Sequence, residues 1–203
     1  MGTATDPAAT VHPGAVGAIF DHLLLALTRD GQPGPQAFMF SHYRIRWSDD
    51  GVVGELAFVE LERAGRTNRL ILTDSPALAA SQVGRLSPRS WPASDVDRAA
   101  TVATFAPGPV GGSTVTSSVT TDDLAIDVEW TDLAAPIFAS GPAPRVPSED
   151  IVSVLMEARA GGATVDGRAV AGSLFANDAW IAWLGRPLNS AVVALGEVLL
   201  TRP

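Results

Sequence analysis

Apolar positions recur along this chain in two rhythms, and the first is the spacing of a helix. From Ala15 to Thr28 the residues Ile19, Phe20, Leu23, Leu24 and Leu27 return every three or four positions, which predicts a short helix ended by Asp30-Gly31 and Pro33. A strand through Leu23–Leu27 is the alternative. From Ala37 onward the rhythm changes to short segments rich in Val, Ile, Phe, Thr and Trp, separated by Gly, Pro or Asp-Gly turns. Met39, Tyr43, Ile45 and Trp47 alternate with Phe40, His42, Arg44 and Arg46, so this strand has an apolar and a polar face in its last part. Asp49-Asp50-Gly51 turns the chain into a strand near Val52–Leu61, and Ala64-Gly65-Arg66 turns it again into Arg69–Thr73.

Residues 74–100 carry Pro76, Pro88 and Pro92 and read as a wrapping loop with a strand fragment or helical turn. Strands resume at Thr101–Phe105, Thr114–Val119 and Leu124–Thr131. In the last of these Leu124, Ile126, Val128 and Trp130 face one way and Asp123, Ala125, Asp127 and Glu129 the other. After a second Pro-rich stretch, Gly141 to Pro147, the segment Ile151–Arg159 reads as a strand, with Gly161-Gly162 as a hairpin turn into Ala163–Val165. Asp166-Gly167 is a further turn, and Ala191–Thr201 is a nearly continuous apolar strand, of the kind that is buried on both faces or closes a barrel.

The expected fold is therefore all-β with one or two short helices. Roughly nine to eleven strands in antiparallel order form either a lipocalin-like barrel or a β-sandwich. Residues 1–14 read as a flexible N-terminal arm, and 15–203 as a single antiparallel β domain. The first helix would plug one end of the barrel.

Composition narrows the function classes. With 22 acidic and 14 basic residues the formal charge is −8, which repels phosphate backbones and argues against nucleic-acid binding. Cysteine is absent, so disulfides, thiolate nucleophiles and thiolate metal sites are excluded together. The three histidines, His12, His22 and His42, are too scattered for a recognisable metal-ligand spacing, and neither a metal nor a cofactor is expected. Residues 1–14 carry no Lys or Arg, Asp21 and His22 interrupt the first apolar run, and no run is long enough to span a bilayer. The expected location is the cytoplasm.

Two clusters can carry chemistry. His42, Arg44 and Arg46 share one strand face, which is either the lumen of a barrel, presenting a cationic stripe to a ligand, or the solvent face of an antiparallel strand. Trp180 and Trp183, three residues apart and followed by Arg186, form either a ligand mouth with stacking and cation–π contacts or core packing at a barrel end. No Gly-x-Ser-x-Gly elbow, phosphate loop or dinucleotide fingerprint is present.

Val165-Asp166-Gly167-Arg168-Ala169-Val170-Ala171-Gly172, followed by a Trp-containing segment and a final strand, resembles the closing part of lipocalin-like domains of the hydroxyneurosporene synthase (CrtC) and AttH type. The resemblance implies a lipocalin-like barrel, and some members of the family act on apolar isoprenoids. The His and acidic motifs of hydratase chemistry are not evident, so no catalytic residue is carried over. The expected function is binding of a small, mainly apolar molecule in an internal cavity. One alternative is a cofactor-independent hydratase, isomerase or cyclase using His42 or Asp127. The other is a structural or interaction domain that forms a homodimer through its apolar final strand.

Overall fold

The computed structural model describes residues 15–63, 65–108, 113–143, 146 and 148–202. The expected arm at 1–14, with His12, lies outside the described residues.

The first element is not a helix but a fourteen-residue strand, β1 (Ala15–Thr28). Its apolar residues imitate helical spacing because both faces of the strand are buried. Leu23, Leu25 and Leu27 enter one core cluster. Phe20 and Ala26, on the opposite face, enter another. Consequently no N-terminal helix plugs the barrel. Next come β2 (Gln36–Ser48), β3 (Gly54–Arg63) and β4 (Arg66–Thr73), as an antiparallel meander.

The expected wrapping loop at 74–100 instead contains an eleven-residue helix, α1 (Pro76–Leu86), and a single turn, α2 (Ala93–Val96). Pro76 does not interrupt structure here. It sits in the first helical turn, where a missing N–H is harmless, and Ser75 accepts a hydrogen bond from Leu78 N as the N-cap. The helix buries Leu78, Ala79 and Leu86 in the cluster that holds Phe20, Tyr43, Ile45 and Phe58 on the outer face of the sheet.

The remaining strands are β5 (Thr101–Val102), β6 (Thr104–Pro107), β7 (Thr114–Thr120), β8 (Ala125–Leu133), β9 (Ile137–Pro142), β10 (Glu149–Val165), β11 (Arg168–Ala169), β12 (Ala176–Asn177), β13 (Leu188–Asn189) and β14 (Ala191–Thr201). A 3-10 turn (Asp178–Trp180) and α3 (Ile181–Leu184) lie between β12 and β13. The main sheet has the order β5-β4-β3-β2-β1-β14-β10-β8-β7-β6. Its two edge strands are separated in the chain only by Ala103, whose N–H donates to Thr73 O at 2.8 Å. The stretch 101–107 thus runs parallel to β4 at its start and antiparallel to β7 at its end, and the sheet curls into a nearly closed barrel.

One further expectation is revised. Gly161-Gly162 is not a hairpin turn, because β10 continues through it to Val165. A Cβ at Gly161 would lie 2.8 Å from Glu129 O and 3.1 Å from a Leu25 methyl, so the glycine permits close approach of strands. The reversal comes at Asp166-Gly167, where φ values of 51° and 72° belong to a tight hairpin turn. The final strand β14 is paired with β1 on one side and β10 on the other. Association of two copies through this strand would have to displace one of those partners. No helix of the described residues is long and apolar enough to cross a membrane.

The alternation in β8 is as expected. Ile126, Val128 and Trp130 point into the lumen at 1%, 2% and 0% exposure, while Asp127 and Glu129 face solvent. Replacing Ile126 with Asp buries an unpaired carboxylate and is expected to lower stability by roughly 3–5 kcal/mol. Asp127→Ala removes surface hydrogen bonds to Ser118 and Thr164 and is expected to cost under about 1 kcal/mol. Urea midpoints of the two variants check the assignment of faces; equal midpoints would contradict it.

Candidate functional site

The barrel has an upper end, where β2 turns into β3, and a lower end, where β1 turns into β2. Between them the lumen is packed by Leu23, Leu25, Phe40, Val59, Val119 and Trp130, among others. Polar chemistry begins one layer above this packing.

There His42 is fully buried, facing inward from β2, with Phe105 stacked on its ring at 4.9 Å and the edge of Phe40 at 5.6 Å. Its Nε2 lies 2.6 Å from Glu55 Oε2 and its Nδ1 3.0 Å from Ser117 Oγ. The second contact crosses the lumen, since Ser117 belongs to β7 and β2 and β7 are not neighbours in the sheet. Burial pushes the His42 pKa below its usual value, against the opposing influence of the Glu55 carboxylate. The imidazole is therefore neutral near pH 7. A carboxylate can only accept, so Nε2 carries the proton and donates to Glu55, and Nδ1 accepts from the Ser117 hydroxyl. Ser117, His42 and Glu55 make a continuous hydrogen-bonded path along which a proton can be passed.

Arg44 lies beside this path. It is paired across the sheet with Asp21 on β1 and Glu55 on β3. Its guanidinium donates to Asp21 Oδ2 at 2.9 Å, and Arg46 reaches the same oxygen at 3.4 Å. Asp21 Oδ1 accepts from Gly196 N at 3.1 Å. Arg44 is buried, and its Nε has no hydrogen-bond partner. The stripe His42, Arg44, Arg46 thus turns toward the lumen, and the apolar residues of the other face, Tyr43 and Ile45, lie in the outer core cluster.

Above the charged row one wall of the barrel stands taller. Strand pairing puts Ile19, Trp47, Val198, Val152, Val154 and Phe138 on the inward face of β1, β2, β14, β10 and β9. Four of these are open to solvent: Ile19 (38%), Trp47 (44%), Val154 (44%) and Phe138 (58%).

The lower end holds a cleft of about 710 Å³. Its apolar lining includes Ala37, Phe38, Leu61, Val165 and Val170, of which Phe38 and Leu61 belong to the lumen core. Arg29, Glu62, Arg63, Asp166 and Arg168 form its rim. Arg29 pairs with Glu62, and Asp166 accepts from Ala125 N. Arg63 and Arg168 make no ion pair or side-chain hydrogen bond among the described residues.

The second expected cluster lies elsewhere. Trp180 and Trp183 pack edge to face at 5.7 Å on the outside of the barrel, in a small core with Ala139, Leu155, Leu188 and Val192. Trp180 is buried, and its Nε1 has no partner. Arg186 is exposed, 3.7 Å from Glu157. These three residues are not brought together with His42, Arg44 and Arg46. Asp127 is also separated from His42, by the thickness of the barrel wall.

Asp21, Glu55 and Ser117 at the upper end, and Arg63 and Arg168 at the lower, were not singled out in the sequence. A signal existed for Asp21, which is in phase with Leu23, Leu25 and Leu27 and so shares their inward face once β1 is a strand. Ser117 carried none, because its partner is 75 residues away. Among the described residues no group of three His, Cys, Asp or Glu could hold a metal ion. No protein-family model matches the chain, and no curated protein matches it.

Two outcomes follow from this geometry. Because the folded-state pKa of His42 is below the ordinary 6.5, the unfolded chain takes up its proton first as pH falls. The stability that neutral His42 contributes is complete above about 6.5 and is lost progressively as pH falls from there through the lower folded value. The difference in unfolding free energy between the wild type and His42→Gln is therefore expected to shrink between pH 7.5 and 5. A constant difference would show that His42 does not titrate in this way. On the outer face, a Cβ at Gly141 would lie 2.5 Å from the Trp183 ring. Gly141→Ala is expected to cost about 1–3 kcal/mol. Most of that loss should disappear in a Trp183→Ala background, a coupling that a double-mutant cycle measures.

Proposed function

We propose that this barrel binds a small, mainly apolar molecule with an anionic head, and that the lower cleft is its site. The observation that carries the reading is the pairing of an apolar floor with two uncommitted cations. Val165 and Val170 offer apolar surface backed by the buried Phe38 and Leu61 of the lumen core, while Arg63 and Arg168 stand on the rim without a carboxylate partner among the described residues. In a chain of net charge −8, two unpaired arginines at one opening favour an acid over a base or a neutral polar group. The volume of about 710 Å³ falls in the range of small-molecule sites.

The resemblance to lipocalin-like domains supports the same reading, because the stretch that carries it supplies Val165, Arg168 and Val170 to this cleft. An apolar tail lying here meets Val165 and Val170, with Leu61 and Phe38 packed beneath them. Its head stays at the rim, where water and guanidinium groups solvate it together.

Decanoate is a suitable probe. Calorimetric titration is expected to show saturable one-to-one binding to the wild type. The Arg63→Gln/Arg168→Gln double variant is expected to bind at least about tenfold more weakly, the loss of a charge-assisted contact or more. Leu61→Trp, which fills the floor, should abolish binding while leaving the rim intact. Binding that is indifferent to both changes would place the ligand elsewhere and refute the assignment.

A further inference from the structure

The upper mouth carries a different combination of groups. We propose that it is a second binding site, for an apolar molecule whose head is an uncharged hydroxyl. The inference is independent of the lower cleft and uses none of its residues.

The charge balance excludes an ionic head. Asp21 and Glu55 face Arg44 and Arg46, two charges against two, and Asp21 already engages both arginines. A carboxylate arriving here would meet Asp21 and Glu55 with no free cation to receive it. An ammonium would meet Arg44 and Arg46. The row therefore favours a neutral group.

The hydrogen-bonding capacity selects the neutral group. Arg44 is 6% exposed, and its Nε–H, a donor, lacks a partner. Such a buried orphan destabilises the fold until it is satisfied. Glu55 engages His42 through Oε2, and the side chain keeps 18% of its surface open. Its second oxygen has no partner among the described residues and remains an acceptor. Arg44 and Glu55 are direct cross-strand partners, so the orphaned donor and the spare acceptor arise from paired positions of β2 and β3. A hydroxyl is the simplest group that accepts from one and donates to the other at the same time. A ketone would satisfy only Arg44.

The wall above supplies the place for the apolar body. Ile19 and Trp47 lie one inward position beyond Asp21 and Arg44, Val154 and Phe138 share the inward face further round the wall, and each of the four is more than a third exposed. Exposed apolar residues gathered on one face, rimmed by polar groups, are the usual mark of a ligand surface rather than of scattered surface hydrophobes. His42 completes the site as a positioning residue. Anchored to Ser117 on the far wall, it holds Glu55 Oε2 and leaves the other oxygen to the ligand.

Titration with 1-decanol, followed by tryptophan emission, tests the proposal. Trp47 is on the wall, so decanol is expected to shift or quench the emission of the wild type, and Trp47→Phe is expected to lose that change. Glu55→Gln should weaken binding about tenfold, the loss of a hydrogen bond to a charged acceptor. Phe138→Ser, at a position exposed in the free protein, should weaken it without disturbing the fold. Arg63→Gln/Arg168→Gln should bind decanol as the wild type does. The proposal is overturned if decanol leaves Trp47 emission unchanged, if Glu55→Gln and Phe138→Ser both bind like the wild type, or if decanoate perturbs Trp47 as strongly as decanol. Failure of decanoate to respond to the lower-rim arginines would count against the lower site alone.

Discussion

Closure of the sheet by the stretch 101–107 is the constraint on which the rest of the molecule depends. A sheet of this size with free edges would present two rows of unpaired N–H and C=O groups. Here the same few residues satisfy β4 with their first half and β7 with their second, through Ala103 N to Thr73 O in the middle. The switch from parallel to antiparallel pairing follows from the opposite directions of β4 and β7 on either side of this stretch. Once the ring is closed, each long strand has an inner and an outer face, and both must be covered. The inner faces pack on one another around Trp130 and Phe40; the outer ones need α1 and the segment that carries the two tryptophans.

Closure also produces two unlike mouths. β1, β2, β10 and β14 are longer than β3, β4, β6 and β7, so one wall continues upward after the other has stopped. Among the described residues the inward face of the tall wall has no opposing wall, and Ile19, Trp47 and Val154 are exposed although their strands are continuous with the core. At the lower end strands turn by short connections, Gly65 in one and Asp166-Gly167 in another, and the space between these turns is the cleft. A packed middle layer separates the two. Ligands at the two ends would not touch.

Much of the strand order was legible because turn chemistry and alternation agree in most of the chain. Asp49-Asp50-Gly51, Asp166-Gly167 and the clean alternation of Ile126, Val128 and Trp130 each report a local constraint, and local constraints survive in sequence. The misreadings have different physical causes: Pro76 marked the start of a helix rather than a loop, and elsewhere burial on two sides or a close approach erased the pattern. β1 lost its period-two signal when Phe20 and Ala26 were covered as completely as Leu23 and Leu25, and a three-four spacing was left behind. Gly161-Gly162 resembled a turn for a related reason: the side chain is absent to admit the Glu129 backbone and Leu25, and sequence does not reveal what approaches a glycine. Of the candidate site, the inward stripe at His42 and Arg44 could be named but not oriented. Its partners could not be named at all, because Glu55 and Ser117 reach His42 only after the barrel has closed.

The buried polar row has a further implication for how the barrel is specified. His42, Arg44, Asp21 and Glu55 would destabilise an apolar lumen if any one lost its partner, since each would leave a desolvated polar group behind. Slipping β2 by one residue against β1 would turn His42 and Arg44 outward and bring Tyr43 and Ile45 inward. The contacts from Arg44 to Asp21 on β1 and from His42 to Glu55 on β3 therefore oppose register shifts on both sides of β2, and the bond from His42 to Ser117 fixes the height of β7 across the lumen. The apolar layers below are tolerant of such shifts, being built of interchangeable Leu, Val and Phe. The same polar residues that leave a donor and an acceptor free at the upper mouth are thus the ones that single out this register from its neighbours.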